Sequence, residues 1–571
     1  MKIKRLFVLL ITIMMLFTVL NACANDAPGG GGDATPAAEN GDVSDGETDA
    51  EPEFDRNALF RFDPPITLTV GRGLSEEMQQ YVAVQEDVIE NNNWTESYRE
   101  LLGIEIVNEW AVPGDQYEER VNTLMAANDL PDLIAVNAQQ LRFLVDNGMA
   151  ADLTDVFERY ANDFTLWMME EDNWVGINQA TFNGRLMAIP GVNGNADQAS
   201  VLWIRFDWLE ALGMEPPTTI DELINLAEAF MEANLADADS PYGIGISGGS
   251  GLLGGGWGDM VGFYEGFGIN PNGWIDVDGR AEFGRIQPEI REALATMADM
   301  YERGIIHREF VTRDLAEDIA IGRVGIMYGQ HWNSFWPLQD SINNDITADW
   351  IPVPIPTVDG SPGTPMLSGS AGTFWVVCPD YEHPEVAVML LNYVYRARDS
   401  FSPYRDGDRY HRPGHEVMEH PYAAFQWSVI HAFHPTQNIF IHRGVMDYFG
   451  GDESAIENEF IAENVQGTKD WLEDPVANTT MWATYRWSGP RGAFSVINGY
   501  HVNGHTVQNL FFDITDSMVQ FNTNLNDMAE STFTRIVMGV DPIEEFDNFV
   551  EQWWLLGGEA ITNEVNEMIG R

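Results

Sequence analysis

Histidines concentrate in one stretch of the chain, and histidine can ligate metals or transfer protons near neutral pH. Six of the eleven histidines lie between residues 411 and 442. Within this stretch, His415-Glu416-Val417-Met418-Glu419-His420 comes close to the zinc-protease pattern H-E-x-x-H, but its two histidines are five positions apart. Five residues advance a helix by about 500°, so the rings would point about 140° apart, whereas the i, i+4 spacing aligns them. The segment therefore predicts neither a metalloprotease nor a metal site.

Tryptophans are the side chains best suited to bind a solute. Sugars present apolar C–H faces and a rim of hydroxyls, so a sugar site needs aromatic plates and planar hydrogen-bonding groups. The chain has 18 tryptophans, and several follow glycine-rich or turn segments. A place in the hydrophobic core is the alternative for each of them. The candidates for a ligand-binding role are Trp257, Trp332, Trp336, Trp375, Trp427 and Trp487.

The net charge and the number of acidic residues limit the range of possible functions. The chain carries 30 Lys and Arg against 89 Asp and Glu, for a formal charge of −59. Such a field repels nucleic acid, and no basic patch interrupts it. Glycoside hydrolysis needs two carboxylates that lie about 5 Å or 6.5–9.5 Å apart in space. Spacing along the sequence does not determine such distances, so a catalytic pair among the many acids can be neither identified nor ruled out. A surface glycoside hydrolase therefore stays an alternative.

Cys23 is the candidate for covalent modification. Three cations precede the uncharged apolar run Leu6–Leu20, which leads into Asn21-Ala22-Cys23. The run is shorter than the roughly 20 residues that a spanning helix needs. The pattern predicts a signal peptide over residues 1–22 and lipidation of Cys23, which would anchor the protein at the outer face of the cell membrane. A plain secretory signal with a chance cysteine is the alternative.

Residues 23–60 are rich in Gly, Asp, Glu, Ala and Pro, and a segment of this composition buries too little apolar surface to fold. We therefore expect a disordered acidic tether before a globular body. The only other cysteine is Cys378, which follows an apolar run and is expected to be a small buried hydrophobe; no disulfide is predicted.

The elements that would position the candidate residues alternate between strands and helices, which predicts an α/β fold. Open α/β sheets bind ligands beyond the carboxyl ends of their strands. This rule nominates Glu76, Asn137 and Gln139, each of which follows a predicted strand. The predicted strands are Ile66–Val70, ending at Gly71, and then Ile104–Trp110, Leu133–Val136 and Val201–Ile204.

Helix ends and strand edges are also marked in the sequence. Apolar spacing predicts a helix over Tyr117–Ala127, and Thr219 with Glu222 three residues later forms a capping box. The proline-rich run Ile351–Pro356 must be an edge strand or a crossover. Asp541-Pro542 is expected to cap a last helix with Phe546, Phe549, Val550, Trp553 and Trp554 on one face.

Segments spread over the body resemble, in order, the family 1 extracellular solute-binding lipoproteins of ABC importers, in their oligosaccharide-binding group. The first segments that carry the resemblance are Asn128–Ile134, Gly148–Thr154, Asn183–Pro190 and Trp203–Gly213. The later ones are Tyr301–Ile306, Gly325–Gly329 running into Trp332, and Pro542–Asp547.

The resemblance implies a two-lobed, periplasmic-binding-protein-like α/β fold with a hinge, an interlobe cleft and a helix-rich second lobe. We expect lobe 1 to hold residues 61–195 plus about 352–400, and lobe 2 to hold about 200–350 plus 401–571. Trp332 lies where the family places a stacking aromatic. Arg205 lies in the family's Arg-x-Asp-Trp element and could grip a hydroxyl or carboxylate, with a structural pair to Asp207 as the alternative.

Many relatives also carry a calcium loop in the second lobe. The corresponding segment here, Leu235–Pro241, offers Asp237 and Asp239 without the glycine, and two carboxylates do not fill six or seven oxygen positions. No metal or cofactor is therefore predicted.

The sequence predicts a non-enzymatic, monomeric, membrane-tethered binding protein that captures an oligosaccharide or small glycoside and passes it to ABC permease subunits. A peptide-binding or adhesion receptor of similar shape is the remaining alternative.

Overall fold

The computed structural model describes residues 55–84, 87–248, 250–398 and 426–571. The predicted signal peptide, Cys23 and nearly all of the predicted tether lie outside these residues, as do His411, His415 and His420. Among the helices that the structure describes, none combines the length and the apolar character needed to cross a membrane.

Strands and helices alternate through the body, which confirms the α/β prediction. The strands are β1 Ile66–Leu74, β2 Ile104–Pro113, β3 Leu133–Val136, β4 Thr181–Phe182, β5 Arg185–Leu186, β6 Ile189–Val192, β7 Val201–Arg205, β8 Trp274–Val277, β9 Arg280–Phe283, β10 Ile326–Gly329, β11 Trp350–Val353, β12 Met366–Leu367, β13 Ala371–Val377 and β14 Val507–Gln508.

The α-helices fill the intervals between strands and most of the chain after residue 436. They are α1 Glu76–Val84, α2 Asn93–Ser97, α3 Gly114–Ala127, α4 Ala138–Asp146, α5 Thr154–Tyr160, α6 Asp163–Glu171, α7 Val175–Gln179, α8 Phe206–Leu212, α9 Ile220–Ala233, α10 Val261–Gly266, α11 Pro288–Glu302, α12 Leu315–Ala320, α13 Leu338–Asn344, α14 Glu385–Arg398, α15 Gln437–Phe449, α16 Glu459–Glu473, α17 Met481–Ser488, α18 Ala493–Asn503, α19 Asp516–Val537, α20 Glu545–Trp553 and α21 Glu559–Met568.

A five-stranded mixed sheet organises the first part of the body, in the order β2-β1-β3-β13-β6. Strand β1 is parallel to β2 and β3, and β13 is antiparallel to β3 and β6. The predicted end of β1 at Gly71 is wrong, because the strand continues to Leu74 after a register shift between Val70 and Gly71. The indole of Trp110 occupies the space that a side chain at Gly71 would need, so glycine lets the paired strands stay close.

A three-stranded antiparallel sheet, in the order β10-β7-β11, organises the second part. Its edge strand β11 contains Pro352, which confirms the prediction that the proline-rich run is an edge. Thr219 and Glu222 form the predicted capping box at the start of α9. The predicted cap at Asp541 is wrong: α20 begins at Glu545, and the Asp541 carboxylate instead pairs with Arg535 at 2.5 Å.

Buried apolar side chains form separate clusters on the two sheets. One cluster contains residues from 62–192 and 371–432, and two others contain residues from 196–367 and 439–565. The chain therefore passes between the first core and the others near residues 193–195, 368–370 and 433–438. Residues 427–432 pack with the first core and Val353 and Ile355 with the second, which differs from the boundaries expected from the sequence. Cys378 is a partly buried free thiol rather than a fully buried hydrophobe.

Candidate functional site

A cavity of about 350 Å³ lies at the carboxyl ends of β1 and β3, the edge where the sequence rule places ligand contacts. Its lining combines glycines, aromatic rings and few charges. The main lining residues are Gly71, Arg72, Gly73, Tyr117, Ala135, Trp375, Ser428 and His431.

Arg72 is the cation of this cavity and is only 7% exposed. Its Nη1 donates to the carbonyl oxygens of Gln426 and Ser428 at 3.3 and 3.2 Å, and its Nε donates to Oδ1 of Asn108 at 3.2 Å. Its Nη2 is enclosed by protein atoms and has no acceptor among the described residues. Burial lowers the pKa of Arg72. The side chain is thus held by neutral oxygens and keeps donor capacity free.

Tyr117 forms an uncharged wall of the cavity. Its hydroxyl donates to the carbonyl oxygen of Ala135 at 3.0 Å. Burial raises the pKa of Tyr117 to about 12, so the phenol stays protonated at physiological pH. The ring also packs at 5.4 Å from that of Trp110, which fixes its orientation.

Trp375 lines the same cavity and packs tightly against β6. An added Cβ at Gly191 would lie 2.6 Å from the indole of Trp375 and 2.8 Å from the carbonyl oxygen of His431. Because residue 191 is a glycine, the Trp375 indole and the backbone of residue 431 can both pack closely against strand β6. The indole and the His431 ring meet edge to face at 6.0 Å.

A second group of aromatics follows β10, where residues 331–334 form a short 3₁₀ turn. The turn is fixed at its start, because the Gln330 amide donates to Oδ1 of Asn333 at 2.8 Å. The Trp332 Nε1 donates to Oε1 of Gln330, also at 2.8 Å. The polar edge of the indole is thus satisfied within the turn, which leaves the ring faces for packing or stacking.

Trp257, Trp332 and Trp336 form an aromatic cluster beside this turn. The rings of Trp332 and Trp336 are parallel within 3° at 6.5 Å between centroids, and Trp257 meets Trp336 at 4.5 Å and 62°. Trp336 is 43% exposed, and the other two are partly buried. The structure therefore brings together three of the six predicted tryptophans and leaves at least one indole open to solvent.

Trp487 supports the turn from the other side. Its Nε1 donates to Nδ1 of His331 at 2.8 Å, and its ring also contacts Phe335 and Phe494. Burial lowers the pKa of His331 to about 4, so this ring is neutral and its Nδ1 accepts. Trp487 is thus a partly buried neighbour of the aromatic cluster.

The cavity and the aromatic cluster lie at the two ends of one crossover, the segment 191–198 that leads from the end of β6 towards β7. Gly191 contacts Trp375 at the start of the crossover, and Gln330 Nε2 donates to the carbonyl oxygen of Gln198 at its end, at 3.4 Å. Seven residues span at most about 25 Å even when fully extended, so the two anchor points are within reach of one oligosaccharide.

The structure places the other predicted residues differently. Arg205 is buried, pairs with both carboxylate oxygens of Asp207 and stacks on Trp208, so the structural alternative is supported. Trp427 is only 2% exposed and belongs to the first core, so its core alternative is supported as well.

The three polar candidates of the first sheet lie at helix starts. Asn137 caps α4, where its side chain accepts from the Gln140 amide, while Gln139 is exposed in the first turn. Glu76 is the first residue of α1. Neither Asn137 nor Gln139 is among the described residues that line the cavity, and the Glu76 side chain lies outside the described part of the structure.

Sequence reasoning missed Arg72, Tyr117 and the part played by His431. The signal for Arg72 was the run Gly71-Arg72-Gly73, a lone cation between two glycines directly after the predicted strand. Extending that strand by three residues would have placed Arg72 beside the cavity.

A larger cavity of about 810 Å³ lies between α4, α7 and the segment 510–516. It contains none of the predicted tryptophans. Its cation Arg142 is already paired with Asp146 at 2.9 Å. The smaller cavity and the aromatic cluster therefore form the better candidate site.

Within the described ranges, no group of three or more His, Cys, Asp or Glu side chains is arranged to hold a metal ion. Of the histidine-rich stretch, His434 and His442 are buried side chains in the structure. Burial lowers the pKa of both, that of His434 to about 3, so they are neutral packing groups.

Two sheets with separate cores, joined by several crossovers and flanked by an aromatic-lined site, define a periplasmic-binding-protein-like fold. The chain belongs to the family of bacterial extracellular solute-binding proteins, whose sequence profile matches residues 77–399. The resemblance inferred from the sequence is thereby confirmed.

Two similar proteins show the range of relatives. The polygalacturonan/rhamnogalacturonan-binding protein YtcQ of Bacillus subtilis is 24% identical over 40% of this chain and 45% of its own length. The fructooligosaccharide ABC transporter substrate-binding protein FusA of Streptococcus pneumoniae is 24% identical over 38% of this chain and 41% of its own. The chain thus matches less than half the length of these relatives.

Solved structures agree on the fold. The alginate-binding protein AlgQ2 aligns with a TM-score of 0.53 at 16% identity, covering 90% of this chain and 100% of that one. An HMO-binding, ABC-transporter-associated solute-binding protein of Bifidobacterium longum infantis aligns with a TM-score of 0.54 at 14% identity, covering 88% of this chain and 98% of that one. The two-lobed α/β fold class is thereby confirmed.

Proposed function

We propose that this protein is the substrate-binding component of an ABC importer and that it captures an oligosaccharide without changing it covalently. The observation that carries the proposal is the pairing of an aromatic-walled cavity with a partly exposed tryptophan cluster at the two ends of one crossover. Such surfaces suit sugar rings, because indoles pack on C–H faces while amides and guanidinium groups bind hydroxyls. The sugars named for the relatives YtcQ and FusA support the same solute class.

The mechanism follows from the separate cores. We assign the first core to one lobe and the cores around β7 to the other, with the crossovers near residues 193–195, 368–370 and 433–438 as the hinge. Solute would contact Trp375 and Arg72 on one lobe and Trp332 and Trp336 on the other. Contacts that only the closed cleft completes would stabilise the closed state, which a monomer would present to the permease.

The test is a pair of substitutions read against an oligosaccharide panel by calorimetry. We expect Trp332→Ala and Trp336→Ala each to weaken binding of the best sugar at least tenfold, while the melting temperature of Trp336→Ala stays close to that of the wild type. Retained affinity in both variants would contradict the proposed site. Chromatography should recover the bound sugar intact after prolonged incubation, and turnover would instead support a hydrolase.

We further propose that Cys23 carries a lipid that holds the protein at the outer face of the membrane, because the apolar run Leu6–Leu20, which precedes Asn21-Ala22-Cys23, has the length of a cleaved signal. In cells that express the full chain, Cys23→Ser should move the protein from the membrane fraction to the soluble fraction. An unchanged membrane fraction would contradict lipid anchoring through this cysteine.

A further inference from the structure

We propose that the solute carries a carboxylate and that Arg72 binds it inside the cavity, so that the protein selects acidic sugars such as hexuronates over neutral ones. This inference rests on the proposed function and adds the chemical class of the sugar. It concerns the cavity of about 350 Å³ at the end of β1, where a single pyranose ring with its carboxylate would lie against Trp375.

Arg72 is incompletely hydrogen-bonded. Its Nη1 and Nε donate to three neutral oxygens, whereas its enclosed Nη2 has no acceptor in the part of the chain that the structure describes. Among the described residues, no carboxylate forms an ion pair with it. Burying a cation without a counter-charge is costly, and the cost falls when an anion enters the site. An entering carboxylate would supply the missing counter-charge.

Arg72 differs from the other buried arginines that the structure describes. The buried guanidinium groups of Arg205 and Arg486 are each paired with a carboxylate, Asp207 and Asp349 respectively. Arg285, at 6% exposure, has no carboxylate partner either, but the oxygens of Pro271, Asn272 and Asn526 accept from its three side-chain nitrogens. Among the buried arginines that the structure describes, Arg72 alone has an enclosed nitrogen without an acceptor.

The described wall of the cavity around Arg72 is neutral. Tyr117 stays protonated and donates to Ala135, and the Ser75 hydroxyl donates to Oε1 of Gln426 at 2.6 Å. None of the described side chains that line the cavity is acidic. The negative field of the whole chain is screened over about 8 Å at physiological ionic strength, so the guanidinium governs binding at this short range. A guanidinium also matches a carboxylate geometrically, because it can donate two parallel hydrogen bonds.

The decisive experiment uses the wild-type protein and matched ligands. Calorimetry compares trigalacturonate, trimannuronate and triglucuronate with galactotriose, mannotriose and cellotriose, and then compares the best uronate with its methyl ester. The ester keeps the shape of the sugar and removes its charge. We expect the best uronate to bind at least tenfold more tightly than its neutral counterpart and its ester.

Variants then test the residue. Arg72→Gln should weaken uronate binding at least tenfold and change neutral-sugar binding by less than about threefold, and Arg72→Lys should fall between Arg72→Gln and the wild type. The control is Arg120→Gln, which removes the same charge from an exposed arginine over Trp110, outside the cavity. It should change affinity by less than twofold. Circular dichroism establishes that each variant is folded, and the ester comparison stands without any variant.

The outcomes separate this inference from the proposed function. A neutral trisaccharide that binds as tightly as its uronate, or an ester that binds as tightly as the acid, overturns the carboxylate inference and leaves oligosaccharide capture in place. Unchanged uronate affinity in Arg72→Gln overturns the role of Arg72. Absence of binding by all six sugars at millimolar concentration counts against both.

Discussion

The Trp487 Nε1 donates a hydrogen bond to Nδ1 of His331, and this 2.8 Å contact ties helix α17 to the turn that presents Trp332. It requires a neutral imidazole, in agreement with a His331 pKa that burial lowers to about 4. We expect Trp487→Phe to remove the donor and lower the free energy of unfolding by about 1–2 kcal/mol. Urea denaturation measures this. The control Phe335→Leu, at an exposed neighbouring ring, should lower the free energy of unfolding by under about 0.5 kcal/mol. Equal losses in the two variants would show that the hydrogen bond makes no specific contribution to stability.

Trp427 should act through the core. Its indole is almost fully buried and packs near Tyr81, so Trp427→Ala leaves a cavity and should lower the free energy of unfolding by about 3–5 kcal/mol. Denaturant titration provides the measurement, with the exposed Trp336→Ala as the matched control. A stable Trp427→Ala protein that has lost sugar affinity would restore the ligand role expected from the sequence.

The Arg205–Asp207 pair should also be structural. Two hydrogen bonds of 2.8 and 2.6 Å join the side chains, and the Asp349 amide donates to the same carboxylate. Because Asp207→Asn leaves a buried guanidinium without its counter-charge, we expect a loss of about 2–3 kcal/mol in unfolding free energy, less than for a fully buried pair. Sugar affinity, measured by calorimetry, should stay within twofold of the wild type. A tenfold loss of affinity with unchanged stability would point to a ligand contact.

Asp197 should make stability depend on pH. It lies in the first crossover, accepts from Asn438 Nδ2 at 2.6 Å, and burial raises its pKa to about 7. Since the folded-state pKa exceeds the unfolded value of about 3.9, the folded state holds the proton more tightly, and this contribution to stability is lost as pH rises from about 4 to 7. The free energy of unfolding of Asp197→Asn should therefore exceed that of the wild type by about 2–4 kcal/mol at pH 8 and equal it near pH 4.

Unfolding curves at several pH values test this. The control Asp278→Asn, at an exposed hairpin turn, should change the unfolding free energy by under about 0.5 kcal/mol at every pH. A constant difference between Asp197→Asn and the wild type would show that the carboxyl does not change its protonation on folding.

Gly191 should be needed for the cavity. A methyl group there would meet the Trp375 indole at 2.6 Å and a carbonyl oxygen at 2.8 Å, so Gly191→Ala must displace the ring. We expect about tenfold weaker sugar binding and a loss of about 1–3 kcal/mol in stability. Gly372→Ala on the neighbouring strand meets no atom within 4 Å and should leave affinity unchanged. Equal sugar affinities of the two variants would show that Trp375 does not contact the sugar.

Local patterns predicted the elements well where the signal was itself local. The capping box at Thr219, the edge strand containing Pro352 and the helix containing Val121, Leu124 and Met125 all depend on residues a few positions apart. The expected cap at Asp541 failed because a more distant side chain, Arg535, engages that carboxylate. The expected end of β1 failed because Trp110 on the paired strand packs over Gly71.

The sequence by itself determined the family, the α/β class and a set of aromatic candidates, because these follow from composition, periodicity and ordered motifs. Tertiary structure alone decided which candidates share a site. Trp257, Trp332 and Trp336 meet because two segments about 75 residues apart pack together, whereas Trp427 and Arg205 turn into the interior. Arg72 could be recognised as a site residue only from the tertiary structure. Its burial and its lack of a charged partner depend on how distant strands pack around it, and the sequence does not show that packing.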